Sequence, residues 1–171
     1  MRILGIDPGL QVCGYAILDA DYNQESLIEA GILRTPSEPD LAVRLNRIAK
    51  DTQSIIRSFK PEVVAVEQLY SHYAHPKTAI LMGHARGVIL QKVAEAGIKV
   101  KSFSATRIKK SITGNGRASK EQMQRTIQTI LSLPEMPEPA DVADAIATAL
   151  CCANEMNRVL MTGAKRKVTI Q

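Results

Sequence analysis

Tryptophan is absent from the 171-residue sequence, and phenylalanine occurs twice. A hydrophobic core therefore has to be assembled mostly from aliphatic side chains. Cysteine is scarce too: Cys13 stands in the opening apolar region, and Cys151 and Cys152 are neighbours in a late Ala-rich segment. An odd number without C-x-x-C spacing argues against a disulfide frame or a zinc site, leaving three small core residues. No apolar run approaches the roughly 18 to 20 residues that cross a bilayer, so no membrane partner is expected. Asp7 breaks the N-terminal apolar stretch too early for a signal peptide. The expected location is the cytoplasm. Internal repeats, low-complexity tracts and a G-x-x-x-x-G-K-[ST] phosphate loop are also missing.

What is present is ordinary in amount and uneven in placement. Apolar residues make up 45% and charged residues 23% of the chain, values that suit one globular domain with a single core. The formal net charge is +5. Between Arg107 and Arg125 six basic residues (Arg107, Lys109, Lys110, Arg117, Lys120 and Arg125) face Glu121 alone, a surplus equal to that of the whole chain. A second basic cluster, Lys165-Arg166-Lys167, lies near the C-terminus. Basic charge concentrated in this way points to a polyanion, most often nucleic acid, although charge alone leaves a solvated helix face equally open.

Hydrophobic periodicity orders the elements. Residues 2–7 and 12–19 read as strands joined at Pro8-Gly9, and residues 26–34 as a third. After "TPSEPD", Ser37 or Asp40 is placed to cap a helix in which Leu41, Leu45, Ile48, Ile55 and Phe59 recur at helical spacing. Pro61 ends it. "EVVAVEQ" reads as a short strand covered on both faces and ending at Glu67. A helix over about 77–95, a strand from Lys99, a short helix near Ser104, a "GNG" loop and a helix capped by Ser119 with Gln122 follow. A last Ala-rich helix is expected over about 140–157, making residues 1–157 the domain and 158–171 a basic C-terminal tail. Short turns among the first three strands favour antiparallel pairing, and the later crossover helices demand parallel strands. The expected fold class is α/β, a five-stranded mixed sheet flanked by helices on both faces.

Four of the seventeen acidic residues stand where core residues belong. Asp7 ends "ILGI" and Glu67 ends "VVAV". Asp141 and Asp144 lie three apart, hence on one helical face, among Ala140, Val142, Ala143, Ala145 and Ile146. An unpaired carboxylate in such surroundings is costly. If the first and fourth strands are neighbours, Asp7 and Glu67 come close together, and a last helix leaning across that edge adds Asp141 and Asp144. Four clustered carboxylates repel one another unless cations share the site. Hard divalent ions with oxygen ligands, Mg²⁺ foremost, are the natural partners. Two such ions about 4 Å apart support phosphodiester hydrolysis. Taken singly, Asp141 could instead cap the last helix and Asp7 could satisfy the amides of "DPGL". Glu67 and Asp144 are harder to explain in that way.

In this order and spacing, "GIDPGLQVCGYAIL", "VVAVEQLY", "GHARGVIL" and "DVADAIATAL" resemble the RuvC family of Holliday-junction resolvases, over about residues 2–155. The resemblance implies a ribonuclease-H-like fold and a homodimer that binds four-way junction DNA. It implies Mg²⁺-dependent nicking of two opposed strands during recombination and repair, leaving 5′-phosphate and 3′-hydroxyl ends. Two ions per subunit are implied, with Mn²⁺ able to substitute, and a branch-migration motor complex as partner. By position, Asp7, Glu67, Asp141 and Asp144 match the family's catalytic, metal-holding acids; at Asp141 some members carry His. Tyr70 matches an aromatic, commonly Phe, used near the crossover, and a Tyr keeps the stacking face while adding a hydroxyl. Lys109 and Lys120 match DNA-contacting lysines. They fall in the basic window with Arg107, Lys110 and Arg117, and all five are expected at DNA. "SHYAHPKTAI" and His84 depart from the family's common residues, which touches junction contacts and leaves the acids alone.

Other features fit this reading or stand aside from it. His72 and His75 lie three apart with no further ligand group suggested, so a loop is expected there. The glycines of "GNGRASK", beside Arg117 and Lys120, suit a loop that moulds to a DNA backbone. Gly83 and Gly87 permit close helix approach, with internal packing the first expectation and a dimer seam the second. An actin-like ATPase shares the Asp-Gly turn but needs a second phosphate loop and a much longer chain. A non-catalytic junction binder has no use for four misplaced acids.

Overall fold

The computed structural model describes residues 1–21, 24–35, 40–69 and 76–165. Among them the elements run β1 (Arg2–Asp7), β2 (Val12–Ala20), β3 (Glu25–Arg34), α1 (Leu41–Phe59), β4 (Val63–Glu67), α2 (Pro76–Glu95), β5 (Lys99–Phe103), α3 (Ala105–Thr113), α4 (Lys120–Leu131) and α5 (Ala140–Lys165). The strands form one sheet in the order β3-β2-β1-β4-β5. β1, β2 and β3 pair antiparallel, whereas β4 is parallel to both β1 and β5. The connections dictate the split: the short links after β1 and β2 can only close hairpins, and α1 and α2 supply the crossovers. No helix among the described residues is long and apolar enough to cross a membrane.

Alternation along each strand divides the core in two. On one face Ile3, Ala16, Leu18, Val63 and Ala65 pack against α5, with Ile108, Ile112, Met123 and Ile127 of α3 and α4 closing the flank. On the other, Leu4, Ile6, Ile17, Val64 and Val66 meet Ile48, Ile55 and Ile56 of α1 and Ala85, Ile89 and Val93 of α2. The core is aliphatic, as the scarcity of rings requires. Each fully buried Ile or Leu stabilises the fold by about 1.5–3 kcal/mol relative to exposure.

α5 comes closer to the sheet than ordinary side chains allow. A Cβ on Gly5 would stand 2.3 Å from the Ala145 carbonyl oxygen, and one on Gly14 would stand 1.9 Å from that of Asp141. Ala145, Ala149 and Ala153, all buried, keep the helix side of the contact equally thin. Backbone therefore meets backbone where α5 crosses β1 and β2. Gly83 and Gly87 do not behave this way. A Cβ on Gly83 would be 3.8 Å from Leu69, and one on Gly87 would meet nothing within 4 Å, so tight internal packing is not their purpose.

Capping follows the sequence pattern closely. Asp40 caps α1 by accepting from the Ala42 N–H at 2.8 Å, while Ser37 lies outside the described residues. Ser119 and Gln122 form the reciprocal capping box of α4, and Ser104 caps α3. One boundary differs: α5 was expected to stop near residue 157 and runs to Lys165. Nothing in "RVLMTGAK" breaks a helix strongly, since it holds no Pro and its one Gly costs only about 1 kcal/mol.

Candidate active site

Asp7 and Glu67 close β1 and β4, parallel neighbours in which Ile6 stands beside Val66. One residue further on, the two acids leave strand ends about 4.8 Å apart. Alternation decides the face: Ile3, Gly5, Val63 and Ala65 look toward α5, and Asp7 and Glu67 continue those rows. Asp7 pairs across the hairpin with Gly14, and Gly14 abuts the Asp141 carbonyl. That contact sets the first turn of α5, and with it Asp141 and Asp144, over the strand ends. Asp141 lies within this turn, where the positive end of the helix dipole favours a carboxylate.

Burial and neighbouring charge disturb three of the acids. Burial, then Glu67, Asp144 and Asp141, push the Asp7 carboxyl up to about 7, with Lys120 pulling the other way. Glu67 is also pushed up to about 7, by burial and then Asp144, against the pull of Lys109 and Lys120. Burial raises Asp144 as well; Lys120 and Lys109 oppose that and Asp141 adds to it. Lys120 Nζ lies 3.9 Å from Asp144 Oδ2. Two ammonium groups thus face four carboxylates, and negative charge stays in excess.

The donor set consists of carboxylate oxygens, which fits a hard divalent ion, and the excess charge is what such an ion relieves. Cys13, close behind Asp7, is buried, and burial pushes its thiol up to about 12. Among the described residues no three Asp, Glu, His or Cys side chains stand in metal-holding geometry as placed.

The strand ends have supports that the sequence pattern did not reveal. Arg86 of α2 donates from Nε to the Glu67 carbonyl oxygen at 3.2 Å and from Nη2 to Ser102 Oγ at 3.0 Å, tying β4 to β5 beside the site. Thr35 Oγ1 and Arg44 Nη2 donate to the Leu10 carbonyl oxygen at 2.5 and 3.2 Å, holding the turn that follows Asp7. A lone Arg inside "GHARGVIL" is the available signal for the first. The second depends on residues 25 and 34 positions from their acceptor and leaves no local trace.

The basic residues separate into two groups. Lys109, half-buried, and Lys120, exposed, lie within electrostatic reach of the acids. Arg107 instead pairs with Glu155 of α5, which also takes Lys101 at 2.6 Å, and lies 5.1 Å from the centroid of the Phe103 ring. Lys110 joins it along a cleft with Ser111 and Asn154. Arg117 is exposed on the loop between α3 and α4, its N–H donating to Asn115 Oδ1 at 2.9 Å. Tyr70, His72 and His75 lie outside the described residues.

A mixed sheet in this order, with acids ending two parallel neighbours and a helix bringing two more across them, defines a nuclease of ribonuclease-H-like fold. Known proteins agree. The family model described as "Crossover junction endodeoxyribonuclease RuvC" matches residues 3–152. The protein of that name from Rhodopirellula baltica is 47% identical over 149 residues, covering 87% of this chain and 84% of its own length. The Thermus thermophilus RuvC structure is similar with a TM-score of 0.84 at 29% identity, over 93% of this chain and 97% of that one. T. thermophilus RuvC in complex with Holliday junction substrate matches equally well, with a TM-score of 0.84 at 28% identity over 92% and 96%. The chain belongs to the RuvC family of crossover junction endodeoxyribonucleases, which are hydrolases.

Proposed function

We propose that the protein resolves four-way (Holliday) DNA junctions by paired, symmetric, Mg²⁺-dependent hydrolysis of phosphodiester bonds, leaving 5′-phosphate and 3′-hydroxyl ends. The observation that carries this reading is the convergence of Asp7, Glu67 and Asp144, with Asp141, at one end of the sheet, the first three held above the usual carboxylate range by burial and by acidic neighbours. These four residues would hold two ions, Mg²⁺ or in its place Mn²⁺. The chemistry a divalent ion supplies at such a site is Lewis acidity toward the attacking water and the leaving oxygen.

The chain's own residues do the rest. Arg86, Thr35 and Arg44 fix the backbone around Glu67 and Asp7, so the acids keep their separation as substrate arrives. Lys109 and Lys120 hold the phosphate beside the acids. Arg117, with Arg107 and Lys110 further out, holds flanking phosphates, and affinity falls with rising salt accordingly. Tyr70, three residues past Glu67, stacks near the crossover. Two nicks in opposed strands need two sites, which a twofold homodimer offers. A face of α2 with Ile80, 61% exposed, and the uncrowded Gly83, His84 and Gly87 supports a seam there. The protein works in the cytoplasm beside a branch-migration motor complex, with residues 1–157 as the nuclease unit and the basic 158–171 segment following it.

A labelled junction with fixed arms and a short mobile core, compared with linear duplex of the same sequence in Mg²⁺ and in chelator, tests this directly. Paired nicks in the junction alone, lost in chelator, are expected. Tight junction binding without cuts in Mg²⁺ or Mn²⁺ would reduce the protein to a binding module.

A further inference from the structure

We propose that Lys120 is a built-in competitor for the ion-holding carboxylates, drawn off by DNA phosphate, so that the protein takes up divalent ions more tightly on DNA than off it. The inference rests on the reading of the four acids as an ion site. Three features of the structure carry it.

The first is position. Lys120 is the opening residue of α4, where unpaired N–H groups and the helix dipole disfavour a cation. The capping box of Ser119 and Gln122 fixes this end of the helix, so the lysine is held at an electrostatically poor place beside the acids. The second is reach. Its ammonium lies 3.9 Å from Asp144 Oδ2, and its charge is also felt at Asp7 and Glu67. Lys120 therefore acts on acids from β1, β4 and α5 together. The third is looseness. The side chain is 72% exposed and the contact is at the outer limit of an ion pair, a class of interaction worth little on its own. A phosphate arriving at the site mouth can take it without a large penalty.

Off DNA, an incoming divalent ion meets the ammonium charge and competes with it for Asp144. On DNA, phosphate engages the ammonium and that opposition falls. Linkage makes the effect reciprocal: whatever factor DNA adds to ion affinity, the ion adds to DNA affinity. The acids are thus loaded most fully when there is a strand to cut.

The test is calorimetric titration of the DNA-free protein with Mn²⁺, and separately Mg²⁺, at pH 8. Lys120→Gln should bind either ion about 3- to 10-fold more tightly than wild type, the direction set by removing a like charge. Lys120→Arg and Arg125→Gln, which removes a charge paired with Glu121 on α4, should stay within about twofold. Adding linear duplex DNA should tighten ion binding to the wild type by a similar factor and to Lys120→Gln much less. The melting temperature of Lys120→Gln should equal or exceed that of wild type, since a cation leaves a helix N-terminus. Unchanged or weaker ion binding by Lys120→Gln overturns the proposal. If the wild type binds ions and cuts junctions in that case, only the competitor role falls; if it does neither, the ion-site reading falls with it.

Discussion

The sheet's two faces are covered by different means. Under α1 and α2 the contact is made by Leu, Ile and Val, whose bulk holds the helices at an ordinary distance. Under α5, beside Ile3, Leu18 and Val63, Ala and Gly thin the contact, and the helix descends until main chains touch at Gly5 and Gly14. The four acids belong to the second face. A contact between main chains has little play, whereas interlocking side chains can repack. Both faces supply stability, and the α5 face also supplies position. Ile6 and Asp7, adjacent in sequence, serve these separate ends because strand alternation sends them to opposite sides.

The comparison breaks most sharply at Asp7. Asp7→Asn should bind junctions in chelator as the wild type does and lose roughly a thousandfold or more in single-turnover cleavage. Near-normal cutting would remove Asp7 from the ion site. Next comes a matched pair of truncations and insertions. Gly14→Ala places a methyl where the Asp141 carbonyl sits, so α5 must shift, and cleavage per folded molecule should fall about a hundredfold. Ile89→Ala on the other face should cost about 2–5 kcal/mol in denaturant melts and leave cleavage per folded molecule within about twofold. Equal losses of activity from both would mean that the faces are not independent.

Elements with local causes are legible in the sequence. The Asp40 cap, the Ser119–Gln122 box and the Pro61 stop each lie within a few residues of what they control, and all are found where expected. Asp7, Glu67 and Asp144 stand out in the sequence because a carboxylate ending an apolar strand or set inside an apolar helix is a local anomaly, and the structure brings the three to one end of the sheet. The pairing of Arg107 with Glu155 left no local trace, since the two are 48 positions apart. The Arg44–Leu10 clamp and the contact between Gly14 and Asp141 were invisible for the same reason. Helix length failed at α5, where the chain offers no strong breaker past residue 157.

A smaller effect sharpens the comparison through pH. Asp7 and Glu67 are raised to about 7 in the folded protein, above the roughly 4 of an unfolded carboxyl. The folded state then binds more protons than the unfolded one between those values. The stability these acids contribute is present below about pH 4 and is lost as the pH rises to about 7. Asp19 and Glu155, held low by Arg2 and Lys101, have the opposite sign and matter mainly below about pH 4. Melting temperature measured in chelator should therefore fall between pH 5 and pH 8, and Mg²⁺ should restore it at the upper end. A flat profile in chelator would mean that the acids do not crowd one another.

The smallest effect lies on the structural face. Thr52 Oγ1, on α1, is buried without a hydrogen-bond partner. Thr52→Val should raise stability by about 1 kcal/mol with cleavage unchanged, measured by denaturant melts and junction assays in parallel.

The seating of α5 on β1 has one consequence for the life of the molecule. The contact joins the fifth residue to the hundred-and-forty-fifth, so the seating of β1 waits until α5 has been made. A ribosome adding about 5–20 residues per second exposes β1 well before the last helix. Through that interval Asp7 and Glu67 are made but Asp141 and Asp144 have not joined them. A fragment that stops before residue 140 holds two of the four acids and lacks the helix that carries the other two.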